Sequence, residues 1–319
     1  METFADGRTP VPYDQAAFTP WPDRDPDMAQ AADDLGRMLG IDRAAQDAWA
    51  VESHAKARSA QAVLQREIVA LAGVTQDAFT RSLSLKTCAR AQPVAGTITA
   101  ANAAVSADAA GFVILVSDRI AAGLTGAKAR VVAGRTLGGR PDMPGTAPIA
   151  AAQETMQMAG LKSTNINTAE IMEAYAVQAI ACVQGIGLDP ARVNIGGGAL
   201  ARGHPIGASG AINAVRLFHT LQTTGGHGLA AIGGGRRDWD SAAVAGLILE
   251  TAQLRVFVEF RPVGAELVHW GSRISIAQRD PANDGVIVWQ AEVGPNKIAV
   301  TCQRADARRG QTAPLRGHE

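Results

Sequence analysis

At 319 residues the chain can hold two ordinary domains and bury a sizeable core. Thirty basic residues balance thirty acidic ones, with 47% of the sequence hydrophobic and 19% charged. Bulk electrostatics therefore point to neither a nucleic acid nor an anionic membrane. No apolar run approaches the roughly 18 residues of a membrane span, and the first residues lack the basic-then-apolar pattern of a secretion signal. Cys88, Cys182 and Cys302 lie far apart, without metal or disulfide spacing. These features predict a cytoplasmic globular protein with no metal and no bound cofactor.

Residues 1 to about 27, rich in Pro, Asp and aromatics, read as extended or looped. Asp27 can cap a helix from Met28 to about Leu39, and Gly40 breaks it. Asp42 then opens a longer helix from Arg43 to about Gln65. The pair looks superficially like a helix-turn-helix DNA reader, but acidic and basic residues are balanced and no basic face exists to meet phosphate. His54 reads as a polar helix-face residue. Cys88 falls in a polar helix or loop ended by Pro93. Gly96 to Ala101 reads as a strand, and Phe112 to Val116 as a second, apolar one, closed by a helix start at Ser117-Asp118.

From Lys128 the pattern alternates. Strands are predicted at Arg130–Ala133, Ala169–Ile171, Val193–Ile195, Leu229–Ile232 and Ala242–Leu249. Helices are predicted at Ala147–Ala159, Ala174–Gly185 and Ser209–Thr223. This order implies an α/β layered domain with a mostly parallel sheet and an antiparallel edge pair at its end. Beyond Thr251 the character changes: Val256–Val258 and Val286–Val288, with Trp270 and Trp289, suggest short strands. Arg304 to Glu319 is polar and basic and reads as disordered.

The most informative stretch is Val193 to Ala211. Gly196-Gly197-Gly198 can bring backbone close to a ligand because glycine lacks a Cβ. Gly203-His204-Pro205 then makes a turn before a small-residue helix, where free N–H groups and the helix dipole favour developing negative charge. A dinucleotide fingerprint fits Gly196-x-Gly198-x-x-Ala201 only loosely, since the helix should follow the glycines directly and a His-Pro turn intervenes. Read as a whole, the stretch resembles the active-site histidine block of the thiolases, which make or cleave 3-oxoacyl-CoA thioesters through a cysteine-bound acyl group.

Other segments share that resemblance, which spans about residues 17 to 250. Asp25-Pro26-Asp27-Met28 through Ser53-His54 are similar to the helical loop domain of thiolases. Thr99, Ala100, Asn102 and Asp108 match a segment near the pantetheine arm of CoA, with Ala104 and Ala107 replacing the usual Ser and Asn. The resemblance implies residues 1–122 as a remnant of the N-terminal domain, including the loop insertion at about 27–90. It implies 128–250 as the C-terminal domain and leaves 251–319 as an unrecognised extension.

It also implies roles. His204 would be the base and oxyanion donor, supported by Glu173, Gly203, Gly233 and Gly234, with Asn102, Ala104, Gly197 and Gly198 near CoA. Glu173 has a second reading, as an acid at a helix N-terminus. Met172 stands where the family has the Asn that orients an oxyanion-hole water, and thioether sulfur donates no hydrogen bond. The second catalytic cysteine of the family is replaced here by Gly233 or deleted along with a neighbour, and no Cys-x-Ser-Gly nucleophile turn is present. The expectation is an acyltransferase on CoA thioesters, weak or inactive as this chain alone. The alternative is a non-catalytic CoA-binding or partner subunit, in a homo-oligomer or beside a complementing thiolase chain.

Overall fold

A computed structural model describes residues 2–3, 11–12, 25–71, 73–140, 142–234, 243–251, 267–270, 273–280, 285–293, 298–305 and 312–314. They fall into two compact units, one of residues 1–114 with 128–253 and one of residues 115–127 with 254–319.

In the first unit, Glu2–Thr3 (β1) pairs antiparallel with Val11–Pro12 (β2). Helix α1 (Met28–Leu39) starts at Asp27, whose carboxylate accepts the Gln30 N–H at 2.8 Å, and stops at Gly40 with φ 68°. Helix α2 (Arg43–Ser59) is capped by Asp42 through the Ala45 N–H at 2.8 Å. It ends earlier than the apolar pattern suggests, and a single further turn, α3 (Gln61–Leu64), buries Leu64. His54 is not on a polar face. It is buried on α2 in one stripe with Asp47, Ala50 and Ala57, the face that packs inward, while the opposite face is exposed.

Helix α4 (Leu85–Cys88) buries the Cys88 side chain. The strand expected over 96–101 is instead a tight hairpin, β3 (Pro93–Ala95) and β4 (Ile98–Thr99), because Gly96 turns the chain with φ 49°. Buried Asp33 of α1 clamps the hairpin by accepting the Thr97 N–H at 2.7 Å and the Thr97 hydroxyl at 2.8 Å. Residues 112–116 are irregular rather than a strand. Apolar character alone does not make a strand; a hydrogen-bonded neighbour does, and this run crosses the boundary between the two units.

The sheet has the order β5 (Ala129–Leu137), β8 (Ala243–Thr251), β7 (His227–Gly234), β6 (Ile166–Ile171). It is mixed, not mostly parallel: β6 and β7 run parallel, whereas β7–β8 and β5–β8 are antiparallel. Only the residues 235–242 separate β7 from β8, and parallel neighbours need a longer crossover, of about a dozen residues or more. Alternate side chains serve different layers. Leu229, Ala231 and Ile248 pack with α6 (Ala147–Met158) and α7 (Ala176–Ile186) through Met156, Cys182 and Val183. Ala230 and Leu249 instead face Leu217 and Leu221 of α9 (Ser209–Thr224). The strand expected at 193–195 is reduced to one parallel bridge between Val193 and Ala169.

In the second unit, α5 (Asp118–Gly123) is capped by Ser117. Strands β9 (Leu267–Trp270), β10 (Arg273–Asp280), β11 (Gly285–Val293), β12 (Ile298–Ala305) and β13 (Thr312–Pro314) form an antiparallel sheet in consecutive order. Trp289 of β11 stands opposite Ile276 and Cys302. The expected strand at Val256–Val258 lies outside the described residues. Of the tail expected to be disordered, Arg304 and Ala305 continue β12 and pair with β13; the rest of it, apart from β13, lies outside the described residues. Among the described residues no helix is long and apolar enough to cross a membrane.

Candidate active site

The site lies where the parallel strands β6 and β7 end, the place where α/β sheets open a crevice at their carboxyl edge. After β6 the chain continues as Met172-Glu173-Ala174-Tyr175 into α7. Glu173 is fully buried, and its two oxygens accept four hydrogen bonds. Trp49 Nε1 donates at 3.0 Å and Asn194 Nδ2 at 2.8 Å to Oε1; Ser53 Oγ donates at 2.7 Å and the Leu200 N–H at 3.3 Å to Oε2. One carboxylate thus ties α2 to the strand end and to the next loop. This exceeds the helix-dipole reading of Glu173.

Asn194, which the sequence reading passed over, is the second organiser. Its side chain imitates a neighbouring strand, with Oδ1 accepting the Ile171 N–H at 2.8 Å and Nδ2 donating to the Ile171 carbonyl at 2.9 Å. The left-handed backbone at Asn194, φ 46°, turns the chain here and explains why no strand continues to Ile195. Asn at such a position before a glycine run is the signal that could have found it.

The glycines that follow bring backbone close to protein, not into an open cleft. Both Gly197 and Gly198 are buried. A Cβ on Gly197, where φ is 76°, would strike the Ser53 carbonyl and Ala57 of α2, and one on Gly198 would strike the Glu173 carboxylate. The Gly198 N–H donates to Ser53 Oγ at 3.0 Å. One turn of helix, α8 (Ala199–Arg202), leads to Gly203, whose φ of 94° and close approach to Ala107 and Phe79 leave no room for a side chain.

His204 follows, half-buried. Its backbone N–H donates to the Val105 carbonyl at 2.8 Å, and the Ala104 N–H donates to the Ala174 carbonyl at 2.9 Å. Residues 103–106 therefore run between the turn after β6 and the His204 turn, bridging Tyr175 at Ala103 and His204 at Ser106. The ring's Nδ1 lies 2.8 Å from Ser209 Oγ, and burial holds the imidazole below its ordinary pKa. Burial thus favours the uncharged ring, the form a base requires.

Asn102 is buried, with its amide committed internally. Oδ1 accepts the Thr99 N–H at 2.8 Å, and Nδ2 donates to Asp47 Oδ1 and to the Thr97 carbonyl, each at 3.1 Å. These bonds hold the hairpin and the turn after it against α2. Gly233 is half-buried, and a Cβ there would meet Pro144 and Pro148 only at ordinary contact distance. Gly234 continues β7 opposite Ala243. Met172, Ala174, Gln178 and Gly233 line one cavity of about 70 Å³, largely apolar, together with Met28 and Leu35 of α1; His204 is not in its lining.

Both family models of one enzyme class match this chain: "Thiolase, N-terminal domain" over residues 22–119 and "Thiolase, C-terminal domain" over residues 125–245. The chain belongs to the thiolase family. A putative acetyl-CoA C-acetyltransferase of Bacillus subtilis is 35% identical over 70% of this chain and 64% of its own length. Acetyl-CoA acetyltransferase of Escherichia coli is 36% identical, with coverage of 66% and 58%. The crystal structure of human mitochondrial 3-ketoacyl-CoA thiolase in complex with CoA superposes with a TM-score of 0.62 at 26% identity, covering 70% of this chain and 59% of that one. This thiolase-family chain thus spans about six-tenths of the length of these relatives.

Two further features bear on thiolase chemistry. Cys88 and Cys182 are both buried, and burial raises both thiols; Cys182, bonded to Gln178 Nε2, is pushed up to about 12. Such thiols are not nucleophiles at neutral pH. A second, polar cleft of about 250 Å³ lies along α2 and α3, lined by Arg58, Gln61, Gln76, Thr80 and Arg81 among others. His54 backs onto this region, its Nδ1 accepting the Arg81 N–H at 3.2 Å. Burial, assisted by the Arg81 charge, lowers its pKa to about 4.

Proposed function

We propose that this chain binds CoA thioesters and carries the base half of a thiolase acyl-transfer site, with His204 as base and oxyanion donor. The observation that carries the reading is the bracing of His204, its backbone held by the Val105 carbonyl and its ring by Ser209. Arg58 and Arg81 in the polar cleft offer the cationic groups that CoA phosphates require. Glu173, Asn102, Gly197, Gly198 and Gly203 build the frame of the site; Gly233 and Gly234 end the strand beside it. No bound cofactor is needed beyond the CoA thioester itself, and the setting we propose is the cytoplasm.

As a single chain it turns over weakly or not at all. Met172 and Gly233 leave an apolar cavity where a thiolase holds its catalytic Asn and second Cys, and neither buried cysteine can carry an acyl group. Losing one oxyanion donor costs on the order of a hundred- to thousandfold in rate. The same features favour a second reading, a CoA-binding subunit completed by a thiolase-type chain that supplies the nucleophile. Calorimetry with CoA and acetoacetyl-CoA tests binding: micromolar affinity that weakens in His204→Ala and Arg81→Ala supports it, and no binding overturns it. An acetoacetyl-CoA thiolysis assay giving ordinary turnover would refute the inactive single chain. Co-purification of a chain with a Cys-x-Ser-Gly turn would favour the subunit.

A further inference from the structure

Ser209 is the first residue of α9, and its side chain is almost wholly buried. Its Oγ lies 2.8 Å from His204 Nδ1 and 3.3 Å from the Pro205 carbonyl. A hydroxyl has one proton, so only two arrangements are open. If the O–H points to Nδ1, the carbonyl contact is not a hydrogen bond. If it points to Pro205, Nδ1 must carry a proton and donate to Oγ, and both contacts become hydrogen bonds. The Pro205 carbonyl already accepts the Ala208 N–H at 2.7 Å and the Ser209 N–H at 3.1 Å, so neither arrangement leaves it without a donor; the second is preferred because it makes two side-chain hydrogen bonds where the first makes one. No carboxylate touches the ring among the described residues.

We propose that Ser209 is a positioning residue that fixes His204 as the Nδ1–H tautomer, so that Nε2 presents a lone pair. In water an imidazole favours the opposite tautomer, with the proton on Nε2, which would present a donor instead of a base. Serine differs from the carboxylate partner of many catalytic histidines in stabilising no imidazolium charge. The proton that Nε2 takes up is thereby held loosely, in keeping with a ring that must also return it. The catalytic use of Nε2 rests on the acyl-transfer reading above. The tautomer does not, and it is measurable in the free protein.

The test is long-range 1H–15N correlation on the full chain labelled with 15N-histidine, with His204 assigned by its loss in His204→Gln. We expect a protonated-type Nδ1 and an unprotonated-type Nε2 at pH 8, a shift of population to Nε2–H in Ser209→Ala, and restoration in Ser209→Thr. A wild-type ring already protonated on Nε2 overturns the proposal without any variant. So does a Ser209→Ala spectrum unchanged from wild type. Should Ser209→Ala fail to fold, the wild-type and Ser209→Thr spectra decide, since both must show the Nδ1–H form. Absent CoA binding in calorimetry would sink the functional reading and leave this measurement intact.

Discussion

Glu170 and Glu173 stand three residues apart at the end of β6, both buried, and are held in opposite ways. Glu173 receives four donors from α2, Asn194 and Leu200. Glu170 faces α9, where its only charged neighbour within ion-pair range among the described residues is Arg216 at 4.0 Å; that guanidinium is already paired with Glu67. Glu170 Oε1 and Arg216 Nε have no hydrogen-bond partner among the described residues. Burial pushes Glu170 up to about 7, against the pull of Arg216. The difference teaches that burial alone does not make a carboxylate a support for a site. Donors aimed at it do, and here two come from α2 and two from the 194–200 segment, none from the sheet strands.

The comparison can be broken most directly at Glu173. Glu173→Ala leaves Trp49, Ser53, Asn194 and Leu200 without their acceptor, and we expect a loss of about 3–5 kcal/mol in denaturant unfolding. Glu173→Gln should cost less, since only one of its two ends reverses from acceptor to donor. An unfolding free energy within error of wild type for the alanine variant would show that the four donors find water instead.

At Glu170 the prediction is one of slope. Its folded pKa lies above the unfolded value, so the native state holds the proton more tightly. Its contribution is greatest below about pH 4.5 and falls as pH rises to about 7, by about 3 kcal/mol at most, and is flat above that. Glu170→Gln should remove this downward slope while leaving stability at pH 5 nearly unchanged. Unfolding curves at pH 5, 6, 7 and 8 for both proteins check it; equal slopes would rule it out.

Two glycines sharpen the contrast between filled and open space. Gly198→Ala drives a Cβ into the Glu173 carboxylate, and overpacking of this kind typically costs about 1–3 kcal/mol. Gly233→Cys meets only ordinary contacts beside the cavity, so its cost should stay below about 1 kcal/mol. Thermal midpoints measured side by side suffice. A Gly233→Cys chain as unstable as Gly198→Ala would mean that the cavity is not open to a side chain.

Much of this protein could be read from its sequence because the signals are local. Asp27, Asp42 and Gly40 mark the ends of α1 and α2 through bonds and dihedrals that span three or four residues. The alternation of Leu229, Ala230 and Ala231 announces two packed faces, and the 193–211 stretch carries enough residues in order to point to the thiolase family and to single out His204. What escaped depends on partners distant in the chain. The sheet is mixed because β8 runs antiparallel to both of its neighbours, β5 and β7, a pairing that no single strand pattern encodes. The 112–116 run is apolar yet irregular, because a strand needs a ladder as well as a composition.

Within the site, Gly197 and Gly198 are small because α2 and Glu173 press on them from more than a hundred positions away and from the preceding strand end, respectively. Asn102 spends its amide on Asp47 and on its own hairpin. By itself, then, the sequence determined the ends of α1, the start of α2, the alternation of strands and helices, the family and the histidine to look at, all of which are written in neighbouring residues. Only the tertiary structure decided which groups surround Glu173 and Glu170 and which atom braces the His204 ring. Burial and hydrogen-bond direction are properties of the assembled neighbours and of no residue alone.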